Sequence, residues 1–337
     1  MTGVIGSGSF GTAIANLIAT NEPVLLYSRN ADLVEKINKT RRHQSVDLHD
    51  NILAVNSLQE VAEKCNVLFP IVPSSSFRSM MKDLSPHLHP YHLLIHGTKG
   101  FDVKETTEDE KISRKHIRTM SEVIQEESVV VRIGCLSGPN LAREIMDGQP
   151  TATVIASHFK EVVERGKTAL NSRKFQVFGS AELLGAELAG ALKNTIALGS
   201  GILGGLGMGK NIQALLITRG LNEMISFGKA MGTTPRAFVG TAGIGDLICT
   251  ATSEDSRNFT FGKRMGRGET IDEIKSTMPE LAEGLRTIKI AKELAEYYKL
   301  HVPITQMLYR VLYEDLKIET AIEFLMRYPY DVDVDFL

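Results

Sequence analysis

Two short stretches carry residue types whose spacing points to chemistry. The first is Gly6-Ser7-Gly8-Ser9-Phe10-Gly11, a GxGxxG run directly after a short apolar segment and opening a helical pattern. In such a loop the first glycine permits a tight turn, the second lets a pyrophosphate come against the backbone, and the third lets helix and strand pack closely. Free N–H groups and the positive end of the helix dipole then hold the phosphates. The order strand, glycines, helix and next strand predicts a dinucleotide against Gly6, Gly8, Ser9, Phe10 and Gly11, the plainer alternative being a glycine turn without a ligand. The second predicted strand leads into Arg29, where an NAD-selective site usually places an acidic residue. An arginine there is either a surface charge or a partner for a 2′-phosphate, so the cofactor is NAD or NADP.

The second stretch, AGALKNTIALGSG at 189–201, sets Lys193 among small apolar residues. On a helix its neighbours four and seven residues away are Ala186, Ala189, Ala197 and Ser200, a face small enough for a substrate carbonyl to reach the ammonium. A lone lysine of this kind more simply snorkels to water. Three further fragments change that balance. His96-Gly97-Thr98-Lys99-Gly100 sets Lys99 past the carboxyl end of a predicted strand, where ligands of open α/β sheets bind. Ser137-Gly138-Pro139-Asn140 ends another strand before a helical segment from Leu141. GTAGIGDLICT carries Asp246, and SEDSRNFTFG carries Ser256, Arg257 and Asn258. Arginine offers a planar fork for phosphate, and asparagine both a donor and an acceptor. Singly, Lys99 reads as a loop cation, Asp246 as a helix cap and Arg257 as a surface charge. Beside a dinucleotide loop they describe a site for a small phosphorylated carbonyl compound. Hydride transfer needs a proton donor for the developing alkoxide, and a desolvated lysine oriented by Asp246 suits that role.

Other motifs are set aside. Gly204–Lys210, GGLGMGK, has P-loop spacing but is followed by Asn211 and preceded by no β-like run. His87, His89, His92 and His96 cluster in HLHPYHLLIH, but His92 and His96 flank an apolar run read as a strand and no carboxylate or thiol is near to complete a set, so they read as core or surface histidines and no metal is expected. Asp331, Asp333 and Asp335 read as a solvated tail.

The elements that position these residues change character along the chain. Short β-branched runs near Gly3–Ile5, Pro23–Tyr27, Val67–Val72, His92–Ile95, Val129–Cys135, Ala152–Ala156 and Gln176–Phe178 alternate with helical patterns such as Phe10–Thr20 and Ala31–Lys39. After about Ala181 the period becomes helical, with Leu184, Leu188 and Leu192 four apart and helices expected over Leu285–Lys299 and Thr305–Asp315. The fold class is therefore an α/β Rossmann-type N-terminal domain, residues 1–181, with an all-α C-terminal domain, residues 182–337. The charged stretch Asp102–Glu127 reads as a surface loop leading into an amphipathic helix.

Of 337 residues, 43% are hydrophobic and 23% charged, with a formal net charge of -2, so no global basic field draws the chain to nucleic acid or anionic lipid. Cys65, Cys135 and Cys249 lie far apart without a CxxC pair, against a disulfide framework, and a reducing cytoplasm is the expected compartment. The N-terminus offers no secretory signal pattern. The apolar-leaning stretch Leu183–Ile217 is interrupted by Glu187, Lys193, Asn194, Lys210 and Asn211, so no integral membrane association is expected.

Taken in chain order, GVIGSGSFGTAIA, IVPS, GTKG, SGPNLAREI, ELAGALKNTIALGSGI, GTAGIGDLICT, SRNFTFG, LAEGLRT and VPITQMLYRVLYE closely resemble the bacterial-type NAD(P)-dependent glycerol-3-phosphate dehydrogenases. The resemblance implies reversible reduction of dihydroxyacetone phosphate to sn-glycerol 3-phosphate, supplying glycerophospholipid synthesis, by a Rossmann domain followed by a helical domain, commonly as a homodimer. It implies that Lys193 is the general acid and base, with Lys99 and Asp246 also catalytic. Lys99, Gly138, Asn140, Lys193, Asp246, Ser256, Arg257 and Asn258 would line the substrate site, Arg257 and Asn258 facing the phosphate. The cofactor would also meet Arg29, Lys99, Ala142, Arg257, Leu281 and Glu283. The chain departs from the family near residues 41–52, where RRHQSVDLHDNI stands in place of an aromatic-Leu-Pro segment that contributes cofactor contacts, and in the charged stretch at 102–127. The alternatives are an NAD(P)-dependent reductase of another small keto compound and a catalytically silent dinucleotide sensor.

Overall fold

The structure, a computed structural model, describes residues 1–104, 112–278, 282–329 and 333. The chain divides into two compact units, one of Met1–Asp102 with Arg118–Glu187 and the other of Val103–Ile117 with Leu188–Leu337. The division falls inside the long helix Leu183–Gly205, between Glu187 and Leu188.

The first unit is built on an eight-stranded sheet. Its strands are β1 (Thr2–Ile5), β2 (Val24–Tyr27), β3 (Ile52–Val55), β4 (Val67–Pro70), β5 (Leu93–His96), β6 (Arg132–Ser137), β7 (Thr151–Ala156) and β8 (Phe175–Ser180). Their spatial order is β8-β7-β6-β5-β4-β1-β2-β3, and every neighbouring pair is parallel except β6 with β7. The run 3-2-1-4-5-6 is the doubly wound Rossmann arrangement, whose strand order reverses beside β1. Helices α1 (Ser9–Ala19), α2 (Ala31–Thr40), α3 (Leu58–Lys64), α4 (Ser74–Leu84), α5 (Met120–Glu127), α6 (Ala142–Met146) and α7 (Lys160–Leu170) make its connections. Two apolar cores form, one including Val4, Ile14, Leu26, Phe69 and Ile95, the other including Ile5, Leu25, Leu68, Phe77 and Leu94. Consecutive strand residues alternate between those cores, which is why the strands read as unbroken apolar runs.

Two strand expectations need correction. β3 is absent from the strands that the sequence predicts: it lies at the sheet edge, leaves Leu53 exposed and follows a polar stretch. The sixth strand starts at Arg132 rather than Val129, because its pairing begins where Arg132 meets Leu93, and Val129 and Val131 are exposed. Within the charged stretch, residues 105–111 lie outside the described part. His116 and Ile117 are buried rather than looped out, and α5 follows with a Thr119–Glu122 capping box and Met120, Val123 and Ile124 buried. Arg78 pairs with Asp102 at 2.7 Å, with Glu126 at 2.9 Å and with Glu127, tying the two ends of that stretch together.

The second unit is helical: the remainder of α8 (Leu183–Gly205), then α9 (Lys210–Ala230), α10 (Asp246–Thr252), α11 (Arg257–Gly266), α12 (Ile271–Thr277), α13 (Glu283–Tyr298), α14 (Pro303–Tyr313) and α15 (Ile318–Arg327). α8 crosses α11 with backbones almost touching. A Cβ at Gly201 would stand 2.9 Å from the Lys263 nitrogen and closer still to the Phe259 carbonyl oxygen. A Cβ at Gly262 would meet Ile202 and Leu198 in the same way. The glycines Gly201 and Gly205 therefore serve helix packing in this unit, and among the described residues no helix is long and apolar enough to cross a membrane. The GGLGMGK segment joins helix α8 to helix α9, not a strand to a helix. Asp333, the described residue of the aspartate tail, keeps its carboxylate exposed while its backbone carbonyl accepts from Arg219 Nη1 at 2.9 Å.

Candidate active site

In the first unit the glycine loop leaves β1 at the sheet's switch point. Gly6 has φ +122, and a Cβ there would lie 2.9 Å from the Ile71 carbonyl carbon and nearer its oxygen. A Cβ on Gly11 would stand 3.0 Å from the Gly6 carbonyl carbon. A Cβ on Gly8 would meet none of the described residues within 4 Å, so the middle glycine leaves space in front of it. Gly8 is also the N-cap of α1 and, as a glycine, offers no side chain to the first-turn amides. A tight first glycine, an open second and a packed third fit a dinucleotide pyrophosphate. Ser9 opens α1, and Phe10 packs on the core and beside Gly97. Arg29 is exposed two residues past β2, just before Asn30 caps α2 by accepting from the Leu33 amide at 3.0 Å.

At the ends of β5 and β6 the loops meet. Lys99 Nζ donates to the Gly138 carbonyl at 3.0 Å, and Thr98 Oγ1 donates to the Val72 carbonyl at 2.7 Å. Gly138 has φ +150 and abuts Thr153, whose hydroxyl donates to Ser137 at 3.2 Å and accepts from Asn140 Nδ2 at 2.8 Å. That leaves Asn140 Oδ1 buried with no hydrogen-bond partner among the described residues, an acceptor suited to a ligand hydroxyl. Ala142 is half-buried at the first position of α6. Behind Lys99, Glu187 Oε1 lies 2.9 Å from His96 Nε2 and accepts the Ser121 amide at 2.8 Å. Burial pushes the Glu187 carboxyl up, but His96 and Ser121 together hold it below the ordinary carboxylate value. His92 is buried, its Nε2 donating to the Ala62 carbonyl at 2.9 Å, which makes it a core histidine. Among the described residues no group of three or more His, Cys, Asp or Glu is placed to hold a metal ion.

The second unit holds Lys193. The residue is buried, 4% exposed, and its ammonium pairs with Asp246 and donates to Thr250 Oγ1 at 2.6 Å. Thr250 Oγ1 is in turn 3.3 Å from Asp246 Oδ1. The sequence presents Thr250 only inside GTAGIGDLICT; once Asp246 starts a helix, the residue four further on shares its face. A π-helical turn at Thr241–Gly245 delivers Asp246 to α10, and Gly243 there packs directly under Phe238. The small face of α8 is not open space at Ser200, whose hydroxyl donates to the Ala251 carbonyl at 2.7 Å. α10 takes up that space and brings Asp246 and Thr250 to the ammonium.

Ser256 caps α11, accepting the Phe259 amide at 3.3 Å, and Arg257 is exposed at the first helical position. Asn258 Nδ2 donates to Asn194 Oδ1 at 2.9 Å, and its Oδ1 accepts the Gly284 amide at 2.8 Å. Asn258 thus ties α11 to the residue beside Lys193 and to the start of α13, where a side chain at Gly284 would strike the Asn194 carbonyl. Asn194, Gly284 and Thr250 are the partners that residue type alone does not single out. Glu283 opens α13 and is half-buried; Leu281 lies outside the described residues.

The arrangement offers an oriented, buried ammonium in one unit and a dinucleotide loop in the other. The family model for the C-terminus of NAD-dependent glycerol-3-phosphate dehydrogenase matches residues 182–323, and that for its N-terminus matches residues 2–163. A glycerol-3-phosphate dehydrogenase [NAD(P)+] of Pseudomonas putida is 38% identical over 99% of this chain and 96% of its own length. The crystal structure of glycerol-3-phosphate dehydrogenase from Coxiella burnetii superposes with a TM-score of 0.86 at 30% identity, covering 97% of this chain and 98% of that one. A ketopantoate reductase from Ralstonia eutropha, at 15% identity and a TM-score of 0.61 over 93% of this chain and 97% of its own, shares the fold alone. With both halves matched and the buried lysine in place, the chain belongs to the NAD-dependent glycerol-3-phosphate dehydrogenase family.

Proposed function

We infer that this chain reduces dihydroxyacetone phosphate to sn-glycerol 3-phosphate, reversibly, with NADH or NADPH. The observation that carries the reading is the Lys193 ammonium, buried and held by Asp246 and Thr250, in a chain whose two halves both match that family. The bound nicotinamide supplies or accepts the hydride at the substrate's carbonyl carbon. Lys193 Nζ gives a proton to the ketone oxygen as negative charge develops there, and takes it back in oxidation. Asp246 and Thr250 fix the direction of that ammonium, and burial makes its charge count for more than it would in water.

Residues 1–181 hold the cofactor and residues 182–337 carry catalysis and most substrate contacts. The glycine loop with Ser9 and Phe10 holds the pyrophosphate, Arg29 meets a 2′-phosphate, and Lys99, Ala142, Arg257, Leu281 and Glu283 complete the cofactor contacts. Lys99, with a catalytic share, and Gly138, Asn140, Asp246, Ser256, Arg257 and Asn258 bind substrate. An exposed arginine at the first turn of α11 stands where the helix dipole also favours an anion, which supports a phosphate partner for Arg257. The enzyme works as a homodimer in the cytoplasm and supplies glycerophospholipid synthesis.

The test is loss of reduced-nicotinamide absorbance on adding dihydroxyacetone phosphate, with NADH and NADPH in parallel and unphosphorylated dihydroxyacetone as control. Rapid oxidation that needs the phosphate is expected. No oxidation by a sample that still binds either cofactor would overturn the assignment.

A further inference from the structure

The segment that departs from the family, residues 41–52, is folded against the glycine loop. Arg42–His43 and Val46–Asp47 pair as a short antiparallel hairpin, braced by an Arg42–Asp47 ion pair at 2.9 Å. Behind it Asn16 of α1 donates to the Asp47 carbonyl at 3.3 Å and accepts the His49 amide at 2.9 Å, so the hairpin is tied to the helix that the glycine loop opens. Its tip touches the loop twice. His43 Nε2 donates to the Ser7 carbonyl at 2.7 Å, and Ser9 Oγ donates to Gln44 Oε1 at 3.3 Å.

We propose that His43 is a positioning residue for dinucleotide binding, holding the Ser7–Gly8 peptide so that the Gly8 amide faces the pyrophosphate. A carbonyl oxygen can only accept, so the imidazole must carry its proton on Nε2. In a planar trans peptide the C=O and N–H point to opposite sides, and pinning the Ser7 oxygen on the hairpin side turns the Gly8 N–H to the other. The Thr12 hydroxyl also approaches that oxygen, but at 3.5 Å it is too far to fix the plane alone. Gly8 has no side chain to restrict it, and a Cβ there would face open space, so an external latch is what limits the loop's freedom. The proposal rests on the reading that the loop binds NAD(P).

Because the pyrophosphate is common to both cofactors, a latch on this peptide must serve NADH and NADPH equally. Arg29, beyond β2, serves only a 2′-phosphate. The experiment is direct titration of the full chain by reduced-nicotinamide fluorescence, with NADH and with NADPH, for wild type, His43→Ala, His43→Gln and Arg29→Ala, alongside kcat and KM for dihydroxyacetone phosphate. His43→Ala should weaken both cofactors by the same factor, about 5-fold for one hydrogen bond lost. It should leave kcat at saturating cofactor unchanged and lower the melting temperature of the free protein by no more than about 2–4 °C, the effect of one lost hydrogen bond. His43→Gln, whose amide nitrogen reaches the same place, should restore most of the loss, and Arg29→Ala should weaken NADPH alone. Unchanged affinities in His43→Ala, a loss confined to NADPH, or a loss that glutamine does not restore would each overturn the proposal while leaving the functional reading intact. A wild-type chain that binds neither cofactor would overturn that reading as well.

Discussion

Replacing Gly201 by alanine sets two opposed effects against each other. In a helix interior alanine is favoured over glycine by about 1 kcal/mol. Here the new methyl would lie 2.9 Å from the Lys263 nitrogen and nearer still to the Phe259 oxygen. Both are backbone atoms of α11 and cannot rotate aside, so the helices must separate. Overpacking of this kind costs about 1–3 kcal/mol, and a clash with backbone belongs at the upper end. The net effect of Gly201→Ala is a loss of about 2 kcal/mol. Gly204, three residues on, is the internal control: its nearest neighbours would be the tip of the Gln213 side chain at 3.1 Å and the Phe259 ring at 3.4 Å. Gly204→Ala should be neutral or gain up to about 1 kcal/mol. For a domain of this size 1 kcal/mol moves the melting temperature by about 2–4 °C, so Gly201→Ala should melt about 4–8 °C lower and Gly204→Ala no lower than wild type. Separation of α8 from α11 also strains the Asn194–Asn258 bond, so kcat should fall in the first variant only. Scanning calorimetry with parallel steady-state kinetics reads both. Equal shifts in the two variants would refute the claim that backbone contact, rather than helix propensity, governs this crossing.

Thr250→Val keeps the shape of the side chain and removes its hydroxyl from Lys193 and Asp246. Hydrogen bonds to charged groups are worth about 1.5–3 kcal/mol, so kcat should fall at least about 10-fold with cofactor affinity unchanged; an unchanged kcat would remove Thr250 from the machinery. Glu223 of α9 accepts the Ile304 amide at 2.6 Å, the Thr305 amide at 3.0 Å and the Thr305 hydroxyl at 2.7 Å at the start of α14. Burial outweighs those bonds and pushes its carboxyl from the ordinary 4.5 up to about 7. A raised acid contributes stability that is complete below the unfolded value and is lost as pH rises through the folded one, here about 3 kcal/mol between pH 4.5 and about 7. Urea titrations across that range should show the decline in wild type and lose it in Glu223→Gln; the same slope in both would show that another group is responsible.

The glycine loop is legible in the sequence because each of its features is local: three glycines, a strand before and a helix after. Lys193 is legible as an anomaly in an apolar helix, and its pairing with Asp246 follows from chemistry. Thr250 is not, because the sequence offers Asp246 at most as a helix cap, and only the folded π-turn shows that it is the first residue of α10 and shares a face with the residue four further on. β3 escapes a sequence reading because, at the sheet edge, it leaves one side chain, Leu53, exposed and follows directly on the polar stretch before it. The hairpin at 42–47 gives no turn signal either. Its two central residues, Gln44 and Ser45, both adopt positive φ without the glycine or asparagine that usually marks such a turn. The interlock of α8 with α11 lies between glycines more than fifty positions apart, and sequence spacing carries no information about that pairing until the helices are seen to cross.

The measurement that tests the central claim most directly is single-turnover reduction of dihydroxyacetone phosphate by Lys193→Met, alongside titration of the same sample with reduced cofactor. Removing a general acid costs about 10²–10⁴-fold in rate, while the dinucleotide loop, in the other unit, is untouched. The account predicts a hydride-transfer rate reduced by at least about 100-fold with cofactor affinity within about 3-fold of wild type. Transfer at a rate near wild type by this variant would contradict it.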